Sequence, residues 1–494
     1  MVSESPIHVL LVSFPAQGHI SPLLRLGKHL AAKGLFVTFS TTRQKGEEMV
    51  VAAAATTTTT TATANGTSSP PPPTPIGDGF LQFDLYDDGL PEDHPTRNDL
   101  KDYSLQIAEY GKKILPQLIK KHADANRPVS CIINNPFVSW VCEVAAELDI
   151  PCAMYWIHAC ATFVACHHYF QKLTPFPTET EPYLDVQLPT LHLKYNEVPG
   201  FLHPFSPVPF VQTLVTQQFD QLSKIFCIIM DTFEELEQDS FNYLSSDLNI
   251  LIRPVGPLYK MPLGAAAAEN SNSTSKKADD SIIEWLNSKQ KSSVVYICFG
   301  TILPLPIEQL GEIAYALLES EVSFLWVLRE SHKEEALKTG AFPDGFFEKI
   351  SERGKVVKWC PQEKVLAHSS VACYFTHCGW NSTLETVSSG VPMLTFSQIS
   401  DQMTNAKLIV DVFKVGIRVS HHGLSEKKLV KSDEIKRCLV EAMVGPKAEE
   451  LKRNALKWKD AAAAARARGG SSDRNLDAFV EDIKKVAVKK FVGN

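Results

Sequence analysis

The stretch IHVLLVSFPAQGHISPLLRLGKHLAAKGLFVTFSTT, residues 7–42, contains one complete β-α-β unit. IHVLLVSF (7–14) is a short apolar run followed by a turn, which is typical of a parallel strand buried on both faces. ISPLLRLGKHLAAKG (20–34) has apolar residues at helical spacing and ends at Gly34, and LFVTFSTT is the next strand. This order predicts a doubly wound α/β sheet at the amino end.

The same alternation of strands and helices begins again at SVVYICFG, residues 293–300. With 494 residues the chain also exceeds the usual size of one hydrophobic core. We therefore predict two Rossmann-like, doubly wound domains, residues 1–255 and 285–470. A linker joins them at 256–284, and a final amphipathic helix at 471–494 packs back on the first domain.

The composition argues against several classes of partner. Hydrophobic residues make up 44% and charged residues 21%, as in soluble globular proteins. The net charge of -7, without a basic block, is unfavourable for binding nucleic acid or an anionic membrane. No apolar run is long enough to cross a bilayer, and the amino end lacks the basic region of a signal peptide. We therefore expect a cytoplasmic protein whose eleven cysteines, none in a CxxC pair, are reduced.

The sequence contains no motif that indicates a cofactor. GDGFLQ (77–82) is the nearest approach to a dinucleotide fingerprint, but it lacks the third Gly and follows the low-complexity segment 52–75, which we expect to be a flexible surface loop. No GxxxxGK[ST] loop is present, and no His, Cys or carboxylate group has convincing metal spacing. We expect neither a metal nor a cofactor, and an oxidoreductase is disfavoured.

WCPQEKVLAHSSVACYFTHCGWNSTLETVSSGVPMLTFSQISDQ, residues 359–402, places polar residues at predicted strand ends and at the start of a helix. This segment strongly resembles the signature box of the plant family-1 UDP-glycosyltransferases. The matching residues are Trp359, Pro361, Gln362, Val365, Leu366, His368, Thr376, His377, Cys378, Gly379, Trp380, Asn381, Ser382, Glu385, Gly390, Pro392, Asp401 and Gln402. The box departs from the family at Ala372, Ser397 and Ile399, where Gly, Pro and Trp are more common. The likeness extends over both domains and implies the GT-B arrangement with an interdomain cleft.

The residues after Gly379 suit a diphosphate. A helix N-terminus offers N–H donors and the positive end of the helix dipole. Asn381 and Ser382 are cap-type residues that can add side-chain donors, and His377 ends the preceding strand. Such groups would stabilise a UDP leaving group without a metal.

The resemblance also implies individual roles. Trp359 would stack on uracil, and Glu385 would accept hydrogen bonds from the ribose hydroxyls. Asp401 and Gln402 would bind the hexose, since an adjacent carboxylate and amide suit vicinal hydroxyls, and Gln at this position goes with UDP-glucose in the family. The resemblance places four more residues at the donor, namely Gly18, Thr301, Gln362 and Trp380.

His19 follows the first strand in FPAQGH, and ligands of open α/β sheets bind at the carboxyl ends of strands. It matches the catalytic base of the family, which removes the acceptor proton in a single inverting displacement that forms a β-glucoside. In most of the family an Asp pairs with this His. The matching stretch here is CIINNPF, where Asn135 occupies that position and cannot supply a charge.

An uncharged partner for His19 favours one kind of acceptor. A phenol, with a pKa of about 10, needs a base at neutral pH, whereas a carboxylic acid, with a pKa of about 4, is already ionised. INNPF, DVQLPTL, VPGFLHP, CFGT and GGSSDRN are also similar to the subgroup that forms glucose esters of hydroxycinnamates, gallate and limonoids. We therefore predict transfer of glucose from UDP-glucose to an aromatic or related carboxylic acid.

Two other functions stay open at this stage. The same fold could form phenolic O-glucosides, or it could bind a UDP-sugar without turnover, with Asn135 marking lost catalysis. His158, at another predicted strand end, either contacts the acceptor carboxylate or packs in the core.

Overall fold

A computed structural model describes most of the chain, namely residues 7–54, 72–259, 273–300, 305–419 and 428–492. The chain divides into two compact units, each built from separate segments. Unit 1 contains residues 1–160, 210–272 and 465–494. Unit 2 contains residues 161–209 and 273–464.

The strands of the described residues are short, as parallel strands between helices usually are. They are β1 (His8–Val12), β2 (Phe36–Ser40), β3 (Thr74–Ile76), β4 (Gly79–Phe83), β5 (Val129–Asn134), β6 (Cys152–Trp156), β7 (Val186–Gln187), β8 (His192–Leu193), β9 (Ile225–Met230), β10 (Leu251–Pro254), β11 (Val294–Cys298), β12 (Ser323–Val327), β13 (Gly354–Val357), β14 (Val371–Thr376), β15 (Met393–Thr395) and β16 (Gly416–Arg418).

Helices occupy most of the connections between these strands. They are α1 (Gln17–Ala32), α2 (Arg43–Ala54), α3 (Leu100–Asp124), α4 (Trp140–Glu147), α5 (Cys160–Phe170), α6 (Pro209–Asp220), α7 (Gln238–Asp247), α8 (Ser273–Asn287), α9 (Ile307–Ser320), α10 (Glu330–Lys338), α11 (Phe346–Lys349), α12 (Gln362–Leu366), α13 (Trp380–Ser389), α14 (Gln402–Lys407), α15 (Ser432–Met443), α16 (Ala448–Arg466) and α17 (Ser471–Val492). Short 3₁₀ segments cover Pro95–Asn98, Gly200–Leu202 and Leu222–Lys224, and a π-helical turn covers Leu408–Val412.

Unit 1 is built on an eight-stranded sheet in the order β10-β9-β6-β5-β1-β2-β4-β3. Its strands are parallel except for the β3–β4 pair, and all five residues of β1 are buried. Apolar residues on one face of α1 pack on this sheet, as their spacing predicts. The carboxyl-terminal helix α17 contributes Leu476, Phe479 and Ile483 to the same core.

Unit 2 is built on a six-stranded parallel sheet in the order β13-β12-β11-β14-β15-β16. β11 and β14 are neighbours in this order and are almost wholly buried, so their carboxyl ends lie side by side in the middle of the sheet. A second sheet of β7 and β8 is antiparallel. Two α/β units with parallel sheets confirm the predicted fold class.

GDGFLQ and the predicted linker contain regular structure that the sequence did not predict. GDGFLQ forms a hairpin, because Gly77 and Asp78 turn the chain between β3 and β4 and Gly77 has a φ of +58°. Helix α8 begins inside the predicted linker, in residues that lack the apolar periodicity of a helix. The predicted loop at 52–75 lies mostly outside the described residues. That residues 1–255 bind the acceptor and residues 285–470 bind the UDP-sugar stays a prediction.

No described helix is long and apolar enough to span a bilayer.

Candidate active site

The end of β14 and the start of α13 place His377 within unit 2. The chain turns sharply between them, since Cys378 has a φ of +66°. A Cβ at Gly300 or at Gly379 would lie 2.7 or 2.6 Å from Nε2 of His377, so two glycines leave room for this imidazole. Gly300 also has a φ of +76° and follows β11. The ring therefore lies where the two central strands end.

His377 is an uncharged hydrogen-bonding group in this structure. Burial lowers its pKa to about 4, although the Asp401 carboxylate and the Cys298 carbonyl oppose this effect. A neutral imidazole can donate one hydrogen bond and accept another. It can therefore meet a phosphate oxygen without the cost of burying a second ion.

Helix α13 begins after Gly379, which has extended backbone angles and no side-chain cap bond. The first N–H groups of a helix have no partner within the helix, so such a terminus is suited to an anion. Asn381 and Ser382 are half-buried in this first turn, as predicted from the sequence. The Trp380 indole is only 3% exposed and packs inward, so its contribution at this terminus is its backbone N–H.

The carboxamide of Gln362, the first residue of α12, joins three elements of unit 2. Its Nε2 donates to the Glu385 carboxylate at 2.7 Å and to the Ser382 hydroxyl at 3.0 Å. Its Oε1 lies 3.0 Å from the Tyr296 hydroxyl and 3.2 Å from the Tyr374 hydroxyl. Both donors and both acceptor positions of the amide are therefore used by protein groups. Gln362 orients Glu385 rather than offering a free amide to a ligand.

Trp359 differs from the other aromatic residues of this region because it is 59% exposed. It lies three residues before Gln362, the first residue of α12. A large exposed indole beside a polar cluster is suited to stacking on a planar ring.

Asp401 and Gln402 lie at the start of α14 and are 6% and 8% exposed. Asn405, one turn later, donates to Oδ2 of Asp401 at 2.9 Å and to the Cys378 carbonyl at 2.9 Å. Gln402 Oε1 accepts from the backbone N–H groups of Gln398 and Ile399. The sequence predicted that this amide could both accept and donate, but its oxygen already accepts two bonds. The amide N–H₂ is the part that can face a sugar.

Sequence reasoning missed Asn405, Tyr296 and Tyr374. The spacing of four residues between Asp401 and Asn405 on a helix was the available signal for the first. The two tyrosines lie in strands, where nothing in the local pattern separates them from core residues.

His19 lies in unit 1, in the first turn of α1 rather than in a loop. Its backbone N–H donates to the Ala16 carbonyl at 2.9 Å, and the helix begins at Gln17, three residues earlier than predicted. The imidazole is 7% exposed, and its centroid lies 4.7 Å from the Phe137 ring and 5.4 Å from the Phe14 ring. Phe137 has a φ of +78°, a conformation that is strained for a bulky residue and is characteristic of functional sites.

Asn135 is fully buried and contacts the main chain around His19. Its Nδ2 donates to the His19 carbonyl oxygen at 2.9 Å and to the Ser13 hydroxyl at 3.2 Å. Its Oδ1 accepts from the Phe14 N–H at 3.2 Å. The sequence placed this residue as a partner of the imidazole, whereas these three bonds fix the turn that carries it.

The other predicted site residues are less informative. Gly18 lies beside His19 in α1, and Thr301 lies outside the described residues. The His158 ring contacts Trp156 edge-on, with centroids 5.1 Å apart. Its two predicted roles stay open.

Metal-ligand chemistry is not evident in the described part of the chain, where no group of three or more His, Cys, Asp or Glu residues could hold an ion. All eleven cysteines are free, and ten of them are buried.

Comparison with known proteins agrees with this geometry. A gallate 1-β-glucosyltransferase of Punica granatum is 50% identical over 489 residues, which cover 99% of this chain and 91% of that protein. A cinnamate β-D-glucosyltransferase of Fragaria ananassa is 49% identical over 488 residues, covering 99% of this chain and 84% of that protein. The solved structure of a UDP-glucose: anthocyanidin 3-O-glucosyltransferase in complex with UDP matches with a TM-score of 0.77 and 26% identity, over 98% of this chain and all of that one.

The sequence profile described as UDP-glucoronosyl and UDP-glucosyl transferase matches residues 111–439, which include both the end of α3 and the whole signature box. The predicted resemblance is thereby confirmed, and the chain is an enzyme that belongs to the UDP-glycosyltransferase family.

Proposed function

We propose that this enzyme transfers glucose from UDP-glucose to the carboxylate of an aromatic acid and releases a 1-O-β-glucose ester and UDP. The observation that carries this proposal is the likeness over 99% of the chain to enzymes named for gallate and cinnamate. A carboxylate acceptor fits this likeness, because it arrives ionised and needs little help from a base.

Unit 2 provides a binding group for the uracil, the ribose and the diphosphate of UDP-glucose. Trp359 stacks on uracil, and Glu385, held by Gln362, accepts hydrogen bonds from the ribose. The N–H groups at the start of α13 and the His377 imidazole donate to the diphosphate. These donors stabilise the charge that develops on the leaving UDP, so we propose that no metal takes part.

In the hexose subsite, one oxygen of Asp401 is held by Asn405 and the other is directed to a sugar hydroxyl. The Gln402 amide donates to a neighbouring oxygen. An acceptor and a donor at fixed positions can distinguish an equatorial from an axial hydroxyl.

In the acceptor half, one carboxylate oxygen attacks the anomeric carbon as the bond to UDP breaks, so the configuration inverts. His19 orients the acceptor, and for a phenol it also takes the proton. We propose that residues 1–255 bind the acceptor, that residues 285–470 bind the donor, and that the enzyme acts in the cytoplasm.

The test is a product analysis with purified enzyme, UDP-glucose and a panel of cinnamic and benzoic acids. We expect UDP release with these acids and a product that mild alkali hydrolyses back to the acid, because esters are labile where phenolic glucosides are stable. A product that resists alkali would assign the enzyme to phenolic glucosides. Absence of UDP release with every acid and phenol would assign it to binding without turnover.

A further inference from the structure

The segment VPGFLHP, residues 198–204, has no chemical role in the proposed reaction, yet the structure connects it to the hexose subsite. Its first three residues and the four residues before them form what we call the strap, residues 194–200. The strap belongs to the first segment of unit 2, residues 161–209, and the second segment of that unit begins more than seventy residues after it, at residue 273.

Three contacts of the strap lie on or beside helix α14, which begins with Gln402. The Gly200 N–H donates to the carbonyl of Ser400, the residue before Asp401. The Thr404 hydroxyl donates to the backbone carbonyl of Glu197 at 2.8 Å. The Glu197 carboxylate lies 3.4 Å from the Lys407 ammonium at the other end of the helix. One short segment therefore holds the loop before the helix, its middle and its end.

Glu197 is the centre of this arrangement and is only 3% exposed. Its Oε1 accepts from the Arg418 guanidinium at 2.9 Å, and its Oε2 accepts from the Lys194 backbone N–H at 3.0 Å. A buried carboxylate with two cations and a backbone donor is fully satisfied, so its position is well defined.

Lys407 keeps its charge at neutral pH. Burial by itself would lower the pKa of Lys407, but the carboxylates of Asp411, at 2.8 Å, and Glu197 raise it above its usual value. Lys407 therefore remains an ammonium and keeps its attraction for Glu197.

The loop that the strap holds is under strain. Ser400 has a φ of +60°, the left-handed region that non-glycine residues adopt at a cost. The hydrogen bond from Gly200 to its carbonyl opposes relaxation of this residue. If Ser400 relaxed, Asp401 and Gln402 would rotate with it, because they follow directly in the chain.

We propose that Glu197 is a positioning residue for donor selection, and that the strap fixes α14 so that Asp401 and Gln402 distinguish glucose from its epimers. The proposal rests on the proposed role of Asp401 and Gln402 at the hexose. It assigns the strap no contact with UDP, since Trp359, Glu385 and His377 lie on other elements.

The test compares Glu197→Gln with wild type in three measurements, which are KM for UDP-glucose, the kcat/KM ratio of UDP-glucose to UDP-galactose, and Ki for UDP. We expect KM to rise and the ratio to fall by about tenfold each, as for the loss of one well-oriented hydrogen bond. Ki for UDP should stay within about twofold, since the uracil, ribose and phosphate contacts are intact. Glu197→Asp, which keeps the charge, should recover part of the ratio.

Two more variants keep the test decisive if Glu197→Gln folds poorly. Thr404→Val is nearly isosteric, loses its hydrogen bond to the strap and should lower the same ratio without changing Ki for UDP. The matched control is Asp482→Asn, which breaks the 2.7 Å pair with Arg253 in unit 1. It should lower stability but leave the sugar ratio unchanged.

The outcomes separate this proposal from the one on which it rests. If Asp401→Ala lowers the glucose-to-galactose ratio but Glu197→Gln and Thr404→Val do not, the strap has no role in selection. If Asp401→Ala leaves the ratio unchanged, the hexose assignment itself is wrong. If UDP and UDP-glucose lose affinity equally in the strap variants, the strap stabilises unit 2 in general and the proposal fails.

Discussion

At the scale of single residues, the site depends on side chains whose hydrogen bonds are already used within the protein. Gln362, Asn405 and Asn135 each hold another functional group in place, so none of them needs to touch a substrate. A hydrogen bond within the protein adds little net stability, but removing one partner leaves the other unsatisfied and costs more. Their substitution therefore separates positioning from chemistry.

His19→Ala should affect the two kinds of acceptor differently. Phenol transfer should fall by about 10²–10⁴-fold, the usual contribution of a general base. Transfer to a carboxylate should fall much less, because no proton has to be removed. One hydroxybenzoic acid provides both groups, so the ratio of ether to ester product measures the difference within a single reaction. The control is His192→Ala, because His192 is an exposed histidine of unit 2. Equal losses of ether and ester product in His19→Ala would show that His19 only positions the acceptor.

Asn135→Asp tests what the amide does. The sequence alone suggests that a carboxylate here would strengthen His19 as a base and favour phenols. The structure predicts otherwise, because the new carboxylate would face the His19 carbonyl oxygen that Nδ2 now donates to. Two buried donations would be lost, at about 1–3 kcal/mol for each group left unsatisfied. We expect a lower melting temperature and a similar loss of ester and ether products; a higher ether-to-ester ratio at unchanged stability would instead support the sequence-based hypothesis.

At the scale of elements, helix α12 is only five residues long, yet through Gln362 it connects β11, β14 and α13. The contribution of α12 to the site is this one carboxamide. Gln362→Met should release the Glu385 carboxylate and raise KM for UDP-glucose and Ki for UDP together, by roughly tenfold. This parallel change contrasts with the strap variants, which should affect only the sugar-dependent part.

Gln309→Met is the matched control for Gln362→Met. Gln309 is a buried glutamine of the same unit, and its amide makes two hydrogen bonds of 2.9 Å with the Val430 backbone. Both variants should lose similar stability, but Gln309→Met should leave the nucleotide affinity unchanged. Equal effects on Ki for UDP would mean that Gln362 acts through folding alone.

The elements also show which information the sequence carries locally. β1, β11 and the start of α13 were predictable because apolar runs, helical spacing and a glycine turn are properties of adjacent residues. The contacts that complete the site are not local, since Glu197 and Arg418 are 221 positions apart, and Asn135 and His19 are 116 positions apart. Pattern reasoning places such residues on elements but cannot pair them. For this reason Glu197 was missed, and Asn135 was paired with the His19 imidazole rather than with the main chain around His19.

At the scale of the whole molecule, both units contain buried or half-buried histidines that stay neutral. Burial is the largest cause that lowers the pKa of His8, His29 and His377 from 6.5 to about 4. His8 shows why this is tolerated, because its two ring nitrogens lie 2.9 Å from the Arg127 carbonyl and 2.8 Å from the Thr38 hydroxyl. A neutral ring satisfies both partners, one as donor and one as acceptor.

These pKa values predict acid lability with a definite sign. Between about pH 6.5 and 4 the unfolded chain takes up a proton at each of these histidines that the folded chain does not, so acid favours unfolding. The stability is fully present above about pH 6.5 and is lost as the pH falls towards 4, by up to about 3 kcal/mol for each histidine. We therefore expect the melting temperature to fall steeply from pH 7 to pH 5.

His8→Gln should lower the melting temperature at pH 7, because a buried ring is lost. It should reduce the further fall on acidification, because one titrating group is gone. His192→Gln, on an exposed side chain, should keep the full fall. If His8→Gln and the wild type lost equal amounts between pH 7 and pH 5, His8 would be protonated equally in both states and burial would not keep it neutral.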